Sequence, residues 1–207
     1  LPKALTGRYL RNGANPRGVK PPHWFFGDGM VHGLALQEGR ALWYRNRWVQ
    51  TRQLTERRRM VQPDGTRDLE AGPANTNIIC HAGRTLALAE TTAPWELDRD
   101  LGTKGPYDFG GRLRTGMTAH PKACPVTGEL HFFDYDWFAP FVTWHVADAA
   151  GNLVRSVPVD AKGATMMHDF ALTEHHVVFM DLPVVFDVER AMKGSMPYRW
   201  DEGYGAR

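Results

Sequence analysis

Two short segments carry the residue types that could do chemistry: Thr118-Ala119-His120-Pro121-Lys122 and Met167-His168-Asp169-Phe170. Each sets an imidazole among small, apolar or acidic neighbours, between stretches of strand character. A neutral imidazole is the commonest protein ligand for a metal ion, but a lone histidine is more often a core or surface residue. The two histidines lie 48 residues apart, close to the ~40–50 residues of a four-stranded propeller blade.

The elements that must position them read as β-strands. Gly and Pro (21 and 14 residues) punctuate the chain at short intervals, and aromatic and β-branched residues fill the gaps. Residues 31–36 and 41–51 flank Glu38-Gly39-Arg40 as a hairpin with a three-residue connection. Residues 77–80 and 85–90 flank His81-Ala82-Gly83-Arg84, and 125–128 turn into a strand over 129–135. Residues 141–147 and 153–159 flank the strongest turn signal, 148–152, and 176–180 is a further apolar strand. Only 188–193, between an Asp187 cap and Gly194, predicts a helix. Sequential short hairpins predict an all-β fold: sandwich, barrel or propeller.

Several functions lose support at this level. Lys and Arg total 25 against 23 Asp and Glu, a net +2, so no basic surface for nucleic acid is indicated. Arg57-Arg58-Arg59 reads as a solvated loop before the Pro63-Asp64-Gly65 turn. Cys80 and Cys124 form no disulfide framework or paired ligand motif, which suits a reducing compartment. No apolar run is long enough to span a bilayer and no signal-peptide pattern opens the chain, although it starts without Met. The expected location is cytoplasmic. Gly27-x-Gly29 before Gly33 is not a dinucleotide loop, because the segment runs into a hairpin rather than a helix; close backbone approach explains glycines there. No glycine-flanked nucleophilic serine or phosphate loop supports a hydrolase.

Motifs along almost the whole chain resemble the carotenoid cleavage oxygenase family, which includes the stilbene-cleaving oxygenases and retinoid isomerases. They are Gly7 to Pro16, Trp24 to His32, Tyr44 to Val49, Asn75-Thr76, Leu86 to Glu90, Thr118 to Lys122 and His168-Asp169-Phe170, in the family's order. The resemblance implies a seven-bladed β-propeller with a non-haem Fe(II) on its axis, held by four histidines. His120 and His168 match the first two of those ligands. Glu90 matches a glutamate that hydrogen-bonds a ligand imidazole, and Thr76 a threonine near the open coordination positions, its alternative being a turn cap. Neutral imidazoles leave the charge of Fe(II) uncancelled and positions free for O2, and a carboxylate on the far ring nitrogen fixes tautomer and orientation.

The implied reaction is cleavage of a conjugated C=C bond of a carotenoid or apocarotenoid to two carbonyl products. The partner is an apolar polyene, with shallow contact at a membrane surface and none with nucleic acid. Stilbene-cleaving members place a lysine just before the glutamate; Ala89 stands there, favouring an extended apolar substrate over a hydroxystilbene. Stilbene cleavage is the alternative within the family, and a non-catalytic propeller binding module the alternative outside it. Family members are more than twice as long, so residues 1–207 read as the N-terminal part of the propeller, before the last two iron ligands. His23, His32, His81, His131, His145, His175 and His176 have no ligand match and read as packing or surface residues. Trp24, Phe25, Phe26, Trp137 and Phe138 read as core or as the lining of a substrate tunnel.

Overall fold

The computed structural model describes residues 1–18 and 20–207, with the side chain of Trp24 outside the described set. Strands β1 (Gly7–Ala14), β2 (Gly29–Gln37) and β3 (Arg40–Trp48) form one antiparallel sheet in that order. After helix α1 (Arg52–Glu56) come β4 (Asn77–His81), β5 (Arg84–Leu88), β6 (Trp95–Leu97) and β7 (Thr103–Pro106), an antiparallel four-stranded sheet in chain order. Strands β8 (Lys122–Ala123), β9 (Leu130–Tyr135), β10 (Val142–Ala147) and β11 (Leu153–Val159) repeat that pattern. Two small hairpins follow: β12 (Ala171–Leu172) with β13 (Val177–Val178), and β14 (Val184–Phe186) with β15 (Tyr198–Trp200), the latter spanned by helix α2 (Val188–Met192).

These sheets lie face to face, which explains why the central strands do not alternate in polarity. On β5, Leu86 and Leu88 pack with Leu130 and Phe132 of the following sheet, while Ala87 packs with Val31 of the preceding one. On β9, Phe132 faces back and Phe133 and Tyr135 face forward, against Val142, Met167 and Phe170. A strand covered on both faces needs apolar residues at successive positions, and each fully buried Phe or Leu contributes about 1.5–3 kcal/mol.

Local chemistry sets the turns. The β2–β3 connection has two residues rather than the expected three: Glu38 (φ 50°) and Gly39 (φ 75°) are both left-handed and Gln37 pairs with Arg40. That is the tight turn whose twist matches the strands. Ala82 (φ 46°) and Gly83 (φ 74°) turn β4 into β5 in the same way. The strand expected over 41–51 stops at Trp48, because Thr51 caps α1, its Oγ1 accepting from the Leu54 amide at 3.4 Å. The expected helix near 188–193 forms, with Asp187 Oδ1 accepting from the Arg190 amide at 3.0 Å. Gly29 allows the close approach inferred for its segment: its amide donates to the Pro73 carbonyl at 2.9 Å, and a Cβ there would strike the backbone of Ala74. No helix among the described residues is long and apolar enough to cross a membrane.

One buried histidine makes stability depend on pH. His145, on β10, stacks on Phe132 with ring centroids 5.0 Å apart. Its Nδ1 lies 2.8 Å from Ser156 Oγ and its Nε2 3.0 Å from Thr115 Oγ1. Burial lowers its pKa to about 4. The unfolded chain takes up this proton below an ordinary histidine pKa of roughly 6.5, the folded chain only near 4. The neutral ring's contribution is therefore complete above the unfolded pKa and is lost as pH falls towards the folded one, up to about 3 kcal/mol. Urea midpoints of the wild type should drop more between pH 7.5 and 4.5 than those of His145→Gln; parallel curves would contradict this.

Candidate metal centre

The three residues that meet are held by three different pieces of chain. Past the end of β5, Ala89 is buried and Glu90 follows, 21% exposed. His120 lies in the segment entering β8, where the Thr118 amide donates to the Phe133 carbonyl at 2.7 Å. The Asn77 side chain donates to the Ala119 carbonyl at 2.8 Å, so β9 and β4 both fix the backbone before His120. His168 is bracketed by the buried side chains of Met167 and Phe170, and the Met166 amide donates to the Val184 carbonyl at 2.8 Å. Burial on both sides of a half-exposed imidazole anchors the backbone and leaves the ring accessible.

The rings of His120 and His168 stand edge to face, with centroids 4.6 Å apart and planes at 72°. Glu90 Oε1 lies 3.1 Å from His168 Nδ1. One ligand atom from each of Glu90, His120 and His168 falls within 4.8 Å of the others. Lys122 Nζ pairs with Asp169 Oδ1 at 2.8 Å, so the two histidine motifs are also tied by charge. Both partners are about one-third or more exposed, and such a pair contributes at most about 1 kcal/mol.

The three groups shift one another's protonation. Burial pushes the Glu90 carboxyl up, opposed by its contact with His168, and that contact raises His168 in turn. Burial lowers His120, with the neighbouring His168 acting in the same direction, so this imidazole favours its neutral form. The Glu90–His168 distance is that of a charged contact, and the Glu90 carboxylate oxygens are otherwise buried. A buried carboxylate at one ring nitrogen of an imidazole that stands beside a second imidazole fits a metal centre, the carboxylate orienting the ligand rather than binding the ion. With Nδ1 of His168 turned to Glu90, Nε2 is the ring nitrogen left for the metal.

Thr76 precedes Asn77, whose side chain holds the backbone beside His120. The Thr76 side chain is exposed and its Oγ1 donates to Asn75 Oδ1 at 2.9 Å, while its amide donates to the Leu88 carbonyl. Of the unmatched histidines, His81 Nε2 contacts the Gly128 carbonyl at 3.1 Å, His131 stacks on Trp144, and His175 and His176 sit on an exposed turn. Trp137 stacks on Phe186 at 5.0 Å, whereas Phe25 and Phe138 are exposed; the Trp24 side chain lies outside the described residues. The Lys122–Asp169 tie went unnoticed in the sequence, although opposite charges beside two candidate ligands were a usable signal.

Repeated four-stranded antiparallel sheets packed face to face define a β-propeller, and histidines from successive repeats meet in it as candidate metal ligands. Residues 1–207 match the family described as retinal pigment epithelial membrane protein, RPE65. The chain is 46% identical over 211 residues to a carotenoid cleavage oxygenase of Mycobacterium tuberculosis, covering 97% of this chain and 41% of that protein. It is 35% identical to the carotenoid 9,10(9',10')-cleavage dioxygenase of Crocus sativus, covering 94% of this chain and 42% of that one. Among solved structures, the lignostilbene dioxygenase of Pseudomonas brassicacearum superposes with a TM-score of 0.82 at 34% identity, covering 97% of this chain and 46% of that chain. A cobalt-substituted Synechocystis apocarotenoid oxygenase superposes at 0.79 and 26% identity, covering all of this chain and 50% of that one. This chain belongs to the carotenoid cleavage oxygenase family. It spans about half the length, or less, of the relatives it matches.

Proposed function

We propose that the chain is part of a non-haem Fe(II)-dependent dioxygenase that cleaves a conjugated C=C bond of a carotenoid or apocarotenoid to two carbonyl products. The observation that carries this is the meeting of His120 and His168, with Glu90 3.1 Å from His168 Nδ1, in a chain whose relatives are carotenoid cleavage enzymes.

His120 and His168 would hold the ion through neutral nitrogens, and Fe(II) when bound supplies activation of O2 beside the polyene. The residues present do the positioning. Glu90, supplying negative charge at His168 Nδ1, holds the ring in the Nδ1–H tautomer and raises the basicity of the other nitrogen. Met167 and Phe170 fix the backbone on each side of His168, so the ring turns little. Glu90→Gln removes the charge and keeps the shape; iron affinity should fall 10- to 100-fold in a competitive titration. An unchanged affinity would remove Glu90 from the site.

Stilbene cleavage is the second reading, favoured by the likeness to the lignostilbene dioxygenase. Ala89 speaks for the polyene: the position is buried and presents a methyl group, with no cation to meet a phenol oxygen. Incubating the complete gene product with Fe(II), O2 and each of a carotenoid, an apocarotenoid and a hydroxystilbene separates the two. Aldehydes from the polyenes are expected; no cleavage of any conjugated substrate rejects the oxygenase reading.

A further inference from the structure

Arg67 lies between α1 and β4, and its side chain is 8% exposed. Its Nη2 is 2.5 Å from Asp134 Oδ2 and 2.8 Å from Asp136 Oδ2. Its Nη1 donates to Asp134 Oδ1 at 3.1 Å, to the Tyr135 carbonyl at 3.1 Å and to the Thr91 carbonyl at 3.2 Å. One guanidinium thus joins the end of β9 to the residue that follows Glu90.

That residue is unusual. Thr91 is buried and has φ 57°, a conformation that a β-branched side chain avoids unless its surroundings impose it. The surroundings are tight on the side facing His120 as well. A Cβ on Gly116 would lie 2.5 Å from the Thr91 carbonyl carbon and 2.7 Å from Asp134 Oδ1. One residue on, Thr92 bridges Met117, whose amide donates to the Thr92 carbonyl at 2.9 Å. The kink at Thr91 is therefore wedged between the strand end that carries Glu90 and the segment that leads to His120.

We propose that Arg67 is a positioning residue for the metal centre: its fork, braced by Asp134, holds the Thr91 kink and so sets Glu90 against His168. A kink relaxing into the extended region would rotate the peptide joining residues 90 and 91 and carry the Glu90 carboxylate away from Nδ1. Bridging two carboxylates and two carbonyls needs a planar fork with several fixed donors, which lysine lacks. The inference rests on the metal reading above, with Glu90 as the carboxylate that orients His168.

The test uses the complete gene product with Arg67→Lys, Asp134→Asn and the double variant Arg67→Lys/Thr91→Gly. Co(II) titration followed by its visible bands reads the site, metal-free crystal structures read the contact, and urea midpoints report on folding. Arg67→Lys should lower Co(II) affinity at least about tenfold, lengthen the Glu90–His168 contact and let Thr91 leave the left-handed region. Asp134→Asn, which keeps the guanidinium, should act in the same direction and less. Glycine adopts positive φ freely, so adding Thr91→Gly should recover part of the affinity. Arg67→Lys affinity within twofold of wild type with the contact unchanged overturns the proposal, and so does a double variant no better than Arg67→Lys. A wild type that takes up no Co(II) rejects the metal reading instead, while the crystal structures still decide whether Arg67 holds the kink.

Discussion

His168→Ala is expected to strip iron from the protein and to reduce polyene cleavage to background. Losing a partner that merely orients a ligand costs 10- to 100-fold in metal affinity, so losing the ligand nitrogen itself should cost more than about a hundredfold. His120→Ala should do the same, because the ring centroids of the two histidines stand 4.6 Å apart. Variants of His175 and His176 provide the control. They lie on an exposed turn where Thr173 Oγ1 accepts from both backbone amides, away from the cluster, and should bind iron like the wild type. Metal analysis of the purified variants reads all four. An active, iron-replete His168→Ala would contradict the ligand assignment.

The second large effect is on stability. Phe133 is fully buried on β9 and meets Phe170 and Phe179 edge to face, at centroid distances of 5.3 and 5.5 Å. Phe170 follows His168 by two residues, so the same cluster that holds the sheets together fixes one ligand's backbone. Phe133→Ala should cost about 3–5 kcal/mol, the transfer of the ring plus the cavity it leaves. It should also weaken iron retention. Phe138→Ala, at a site 60% exposed, should stay within about 0.5 kcal/mol. Urea denaturation of both variants checks the contrast, and equal midpoints would mean that Phe133 is not the keystone its packing indicates.

Much of the fold was legible because its turns are chemically local. Ala82-Gly83 and the run from Asp148 to Asn152 mark hairpins by residue type alone, and in the second Asp148 Oδ1 accepts from the Asn152 amide at 2.8 Å. The short strands β6 and β7 and helix α1 escaped notice, since three to five residues carry too little periodicity to stand out. The cap that starts α1 was visible as Thr51 but sat at the end of a run that looked like strand. For the site, His120 and His168 were legible through ordered family motifs, while spacing alone left them ambiguous. The fork of Arg67 was not legible at all. Its partner Asp134 lies 67 residues away, and nothing in the pattern marks a threonine that must sit at φ 57°.

The proposed centre stands or falls on where iron binds. Crystals of the complete gene product grown anaerobically with Fe(II), measured on both sides of the iron absorption edge, would locate the metal directly. The expected result is a single strong anomalous peak at bonding distance from ring nitrogens of both His120 and His168, with Glu90 on the opposite side of the His168 ring. A peak elsewhere, or no peak beside a well-ordered pair of imidazoles, would contradict it.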